Sequence, residues 1–104
     1  MKVLVKKVGE ESKLINIDGS LKSLQNLVGG YIETVSGKIL GRHYSVVCNE
    51  EGRLRNLPYN CDFDGIGYVG DIFFVGVDKD EFCDIPDIIV NVIRDMLGEM
   101  GEDD

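Results

Sequence analysis

The chain has no tryptophan, a single histidine, only two prolines and three cysteines without a CxxC pair. Each scarcity excludes something. A lone histidine, His43, leaves no obvious partner for nucleophilic catalysis, which needs a base within hydrogen-bond reach of a Ser or Cys. An odd count of scattered thiols argues against a disulfide framework and for reduced cysteines in a cytoplasmic protein. No apolar run approaches the roughly 20 residues a membrane helix requires. The start, Met1–Lys7, has its apolar residues interrupted by Lys6 and Lys7, unlike a secretory signal.

Cations are also scarce, but only in part of the chain. Residues 65–104 hold two Lys/Arg against eleven Asp/Glu, whereas residues 1–64 hold nine against eight. The net charge of −8 therefore resides in the last two fifths. Such a surface repels phosphate backbones and anionic membranes, so direct nucleic-acid or membrane binding is not expected. It suits a basic protein partner from the host.

What is present fits one domain, residues 1–104. Thirteen glycines beside two prolines suggest many strands and turns. Val3 and Val5 alternate with lysines, and Leu14–Ile17 forms the return arm of a hairpin. Leu21, Leu24, Leu27 and Val28 share a helical face, with Asp18 or Ser20 available as its cap. Gly29 and Gly30 end that helix, and Tyr31–Val35 is extended. After a connection at 36–42 comes a strand at Tyr44–Cys48, then the turn Asn49–Gly52. From Arg53 to Gly70 the periodicity fades, which predicts a long loop.

Ile72–Val77 is a continuous apolar run rich in β-branched and aromatic residues, expected as a central strand covered on both faces. After a polar turn at 78–81, Asp84 is placed to cap a second helix. That helix carries Ile88, Ile89, Val92, Ile93, Met96, Leu97 and Met100 as an apolar stripe. Residues 99–104 make an acidic tail, expected to be disordered. The order β-β-α-β-β-loop-β-α predicts an α+β fold with a mostly antiparallel sheet of about five strands and two helices on one face.

Several motifs resemble the family catalogued as domain of unknown function DUF3846. They are Leu24-Gln25 leading to Val28-Gly29-Gly30-Tyr31-Ile32-Glu33, Cys48-Asn49-Glu50-Glu51-Gly52, Leu57-Pro58-x-Asn60, and Gly70-Asp71-Ile72 opening a strand that ends Val75-Gly76-Val77-Asp78. The resemblance covers about Met1 to Asp78. It implies a small protein of phages, plasmids and conjugative elements, and so supplies a habitat rather than a mechanism.

Chemistry-bearing residues are sparse. His43 with Cys48, Cys61 and Cys83 has zinc-ligand types but irregular spacing. Asp62/Asp64 and Asp78/Asp80 lack the calcium-loop pattern. No metal or cofactor is expected. Gly29-Gly30 lies at a helix C-terminus, the wrong end for phosphate, and Gly65-x-Gly67-x-x-Gly70 precedes a strand instead of joining strand to helix. The remaining candidates are two surfaces. One is a recognition patch of Glu33, Asn49, Glu50, Tyr59 and Asn60. The other is an acidic partner surface of Asp78, Asp80, Glu81, Asp84 and Asp87. A non-enzymatic accessory protein that binds a host protein, in the sharper form as a DNA-mimicking inhibitor, is the primary expectation. The alternative is a small-molecule-binding or hydrolytic pocket built from Glu33, Glu50 and Asn60. The breadth of the C-terminal apolar stripe also allows a homodimer.

Overall fold

The run at Ile72–Val77 lies in the middle of the protein. A computed structural model describes residues 1–99 of the chain. Its elements are β1 (Lys2–Lys6), β2 (Lys13–Asn16), α1 (Leu21–Val28), β3 (Ile32–Ile39), β4 (Arg42–Asn49), β5 (Tyr59–Phe63), β6 (Ile66–Val69), β7 (Ile72–Asp78), β8 (Glu81–Cys83) and α2 (Asp87–Met96). The main sheet runs β2-β1-β7-β4-β3, with β8 on the β1 side of β7. All of its pairings are antiparallel. The α+β class, the two helices and the central strand are as the sequence implies.

Successive β7 side chains point to opposite faces, and both faces are apolar. Phe73 and Val75 join Val3, Val5, Val47, Leu24 and Val28 under α1. Phe74 and Ile72 join Leu4, Tyr44, Val46, Ile85, Ile89, Val90 and Ile93 under α2. Phe73 and Phe74 are both fully buried. The helices therefore lie on opposite faces, not on the one face expected. A single helical layer would leave one of the two phenylalanines in water, at a cost of about 1.5–3 kcal/mol.

The predicted loop at 53–70 is a second correction. Its second half is the β5–β6 hairpin, turned by Asp64 and Gly65 at φ 51° and 82°. Asp-Gly between two apolar runs is a strong hairpin signal. Phe63 and Tyr68 of this hairpin extend the α2-side core, and the Phe63 ring meets that of Phe74 edge-on at 4.9 Å between centroids. The third strand also runs four residues further than expected, to Ile39, and turns tightly at Leu40-Gly41.

At the second helix the sequence misplaces the cap. Pro86 is the N-cap and has no side-chain bond to give. Asp84 instead accepts the Lys2 N–H at 2.8 Å, and the Ile85 N–H donates to the Lys2 carbonyl at 2.9 Å. The chain thus crosses β7 closely at Gly76, where a Cβ would stand 2.5 Å from the Asp84 carbonyl oxygen. The expectation of a disordered tail falls on residues 100–104, outside the described residues, except at Glu99. That carboxylate accepts from the Ser12 N–H at 2.8 Å and from the Ser12 hydroxyl at 2.6 Å. It ties the end of α2 to the β1–β2 loop. Met100 of the predicted stripe is likewise outside the described residues.

α1 has the bounds expected, and eight residues do not form a stable helix alone. Ser20 caps it by accepting the Ser23 N–H, and Gly29 closes it at φ 77°. Asp18 accepts from the Ser23 hydroxyl and the Ser20 N–H, and these bonds hold its carboxyl down at about 2, from 3.8. A depressed folded pKa means that the stabilisation is present above about pH 4 and is lost as the pH falls toward 2. An NMR carboxyl titration should place the Asp18 midpoint near 2, moving up toward 3.8 in Ser23→Ala. A wild-type midpoint already at 3.8 would contradict the cap as described.

Candidate functional site

The recognition patch is built where the β3–β4 ladder ends, at Ile32 opposite Asn49. Asn49 is only 5 % exposed. Its Nδ2 donates to the Val28 carbonyl at 3.1 Å, and its Oδ1 accepts the Glu51 N–H at 2.8 Å. It joins the C-terminus of α1 to the turn that follows β4. Arg55 adds a bond from Nη1 to the Gly29 carbonyl at 3.0 Å.

Asn60 does comparable work at the other end of the connection. It sits where the β5–β6 register shifts. Its Nδ2 donates to the carbonyls of Lys6 and Gly70, both at 2.8 Å, and its Oδ1 accepts from Lys6 Nζ at 3.1 Å. All of its side-chain capacity for donation is used. The amide clamps the hairpin onto the end of β1 and the start of β7. Both asparagines thus spend side-chain hydrogen bonds on holding backbone groups together, and the amide hydrogens of Asn60 are fully used.

Glu33 and Glu50 are brought together. They line a cleft of about 200 Å³ between the β3–β4 end and β6, with Val35, Cys48, Arg53, Leu54, Ile66 and Tyr68 among its other walls. Asn49 also borders this cleft; Asn60 and Tyr59 do not. Tyr59 is exposed, and its phenol is pushed up chiefly by a hydrogen bond with Asp62. Leu54 is 86 % exposed, and Arg53 is held by a bond from Nη2 to the Gly67 carbonyl at 2.7 Å. Arg53, Leu54 and Ile66 escaped the sequence reading because they fall in the supposed loop. The Asp64-Gly65 turn is the signal that would have placed Ile66.

The cleft has little reactive chemistry. Burial pushes the Cys48 thiol up, helped by Glu33, and pushes the Tyr68 phenol up to about 12. Cys61 and Cys83 are raised as well, by burial first. All three thiols are free cysteines, and a raised pKa keeps them protonated and weakly nucleophilic. Among the described residues no three His, Cys, Asp or Glu side chains are placed to hold a metal ion.

The acidic candidates divide. Asp78 and Glu81 are cross-strand partners at the tip of the β7–β8 hairpin, whose turn residues Lys79 and Asp80 take φ of 52° and 66°. Asp78, Asp80 and Glu81 are exposed. Asp84 and Asp87 are both engaged by Lys2, the first through its N–H and the second through its ammonium. The other ion pairs among the described residues are Lys13–Glu10 and Arg94–Glu99, so the three tip carboxylates are unpaired there. No helix among the described residues is long and apolar enough to cross a membrane.

With this geometry in place, comparison gives the family. The chain belongs to the family described as domain of unknown function (DUF3846), whose model matches residues 1–98. The match continues through α2, beyond the span over which the motifs alone resemble it. No curated protein and no solved structure matches the chain.

Asn60→Ala should leave two partly buried carbonyls without a donor and cost about 1–3 kcal/mol in urea unfolding. Glu50→Gln, at an exposed carboxylate, should stay within about 0.5 kcal/mol of wild type. Equal effects of the two substitutions would contradict the clamp.

Proposed function

We propose that the chain is a small non-enzymatic accessory protein of a mobile genetic element, and that it binds a basic surface of a host protein. In the sharper form its carboxylates occupy a groove that otherwise takes nucleic acid. The observation that carries this reading is the β7–β8 tip. A two-residue turn, anchored on the central strand, holds Asp78, Asp80 and Glu81 in water, with no cation among the described residues in an ion pair with them. Exposed charges presented on a stiff element favour fast, orientation-selective encounter with an oppositely charged partner.

The hydrolytic or small-molecule alternative requires Glu33, Glu50 and Asn60 together. Glu33 and Glu50 do share a cleft, but the Asn60 amide is spent on Lys6 and Gly70. Self-association is favoured by a separate observation. Ile88 and Met96 on α2 remain 52 % and 42 % exposed, with the half-buried Val92 between them. This leaves an apolar stripe that the sheet does not cover.

Immobilised protein should capture a basic host protein that salt releases, because exposed charges are screened over about 10 Å at 0.1 M. Replacing Asp78, Asp80 and Glu81 by their amides should weaken capture by about tenfold, roughly 1.4 kcal/mol, with folding intact. Salt-insensitive capture, or capture unchanged in the triple variant, would overturn the reading. A solution mass that stays at one chain as concentration rises would remove self-association through α2.

A further inference from the structure

Among the described residues β3 is the last strand on its side of the sheet, paired with β4 along its whole length. One contact fixes which of its backbone groups are free. The Glu50 N–H donates to the Tyr31 carbonyl at 2.8 Å, so Tyr31 turns its backbone groups toward β4. Alternation turns those of Glu33, Val35, Gly37 and Ile39 the same way, and those of Ile32, Thr34, Ser36 and Lys38 outward. Among the described residues no further strand and no turn or loop bond engages the outward four.

Sheet edges are usually blunted by shortness, charged side chains, proline, a bulge or a covering element, and of these β3 has only the charges of Glu33 and Lys38. β3 has eight residues, no proline and an unbroken register with β4. Lys38 is the one charge among its outward residues. The side chains of Glu33 and Val35 line the cleft that also holds Glu50, Leu54 and Ile66. A strand laid along this edge would set its own side chains on that face beside two carboxylates with no ion pair among the described residues. Arg53, the cation of the cleft, is turned to the Gly67 carbonyl.

We infer that the free edge of β3 takes an extended segment of a basic partner protein, which adds a strand to the sheet and places a Lys or Arg side chain between Glu33 and Glu50. The inference rests on the basic-partner reading above and adds to the β7–β8 tip a second point of contact with a defined mode. Main-chain bonds to Ile32, Thr34, Ser36 and Lys38 supply affinity, and the cleft supplies selectivity for the cation. The aliphatic stem of that side chain lies along Leu54 and Ile66 while its head reaches the carboxylates. A second copy of the chain fits less well. In a two-fold pairing centred on Val35, Lys38 faces Ile32 and Glu33 faces Gly37, so no charges are matched.

The test uses the peptide acetyl-Arg-Val-Arg-Val-Arg-Val-Arg-amide at low salt, with a control carrying proline for each valine. Amide exchange is read by NMR on the whole chain. In the free protein the amides of Ile32, Thr34, Ser36 and Lys38 should exchange quickly. Saturating peptide should slow them at least tenfold, and the proline control should not. Glu33→Gln with Glu50→Gln should weaken binding about tenfold without changing the melting temperature. Shifts confined to Asp78–Glu81 would overturn the edge while leaving the acidic reading intact. Equal binding of the proline control, or slow exchange of these amides from β3–β3 dimers without peptide, would overturn it too. No response anywhere would remove both readings.

Discussion

Phe73 and Phe74 are adjacent in sequence, so a strand must send them to opposite faces of the sheet. Both are fully buried. That requirement determines much of the architecture. One face is covered by α1, the other by α2 with help from Phe63 and Tyr68 of the β5–β6 hairpin. Removing either phenylalanine ring would cost about 3–5 kcal/mol, much of the margin by which a domain of this size stays folded. The close passage at Gly76 and the Lys2–Ile85 bond follow from the same constraint, because they route the chain from β8 to α2 across the second face.

The two asparagines that look most like recognition residues hold this arrangement together. Asn49 fixes the end of α1 against β4, and Asn60 fixes the hairpin against β1 and β7. Their side chains meet backbone groups that are buried at Val28 and partly buried at Glu51, Lys6 and Gly70. The surface left for a partner is then different in kind: an acidic tip on β7–β8, a carboxylate-lined cleft, and the open edge of β3. None of the three lies in the covered core; the tip and the edge are positioned by strands that pair with β7 directly or through β4, and the cleft takes its far wall from the separate β5–β6 hairpin.

Much of this was legible in the sequence. The bounds of α1 follow from its leucine spacing and from Gly29, whose missing Cβ allows the closing φ of 77°. β7 follows from an uninterrupted apolar run. The opposite placement of the helices follows from the alternation of side chains along that same run, and the order of elements, which suits helices on one face equally well, does not reveal it. The β5–β6 hairpin was missed because its strands are short and half polar, and turn residues at 57–60 and 62–65 masked the Asp-Gly signal. The cap at α2 failed for a tertiary reason. Asp84 had a better donor in Lys2, which is distant in sequence. At the candidate site, the approach of Glu33 to Glu50 depends on β3–β4 register, whereas the capture of Asn60 depends on Gly70, ten residues on, and on Lys6, 54 residues back.

Native-state hydrogen exchange across the whole chain tests the central role of β7 most directly. The amides of Phe73, Phe74 and Val75 bond to neighbouring strands beneath covered faces, so they should open only when the whole domain unfolds. Their exchange free energies should be the highest in the protein and equal the global stability measured by urea. Faster exchange at these three positions than in β3 or α2 would mean that the middle of the sheet opens on its own, and would contradict the account.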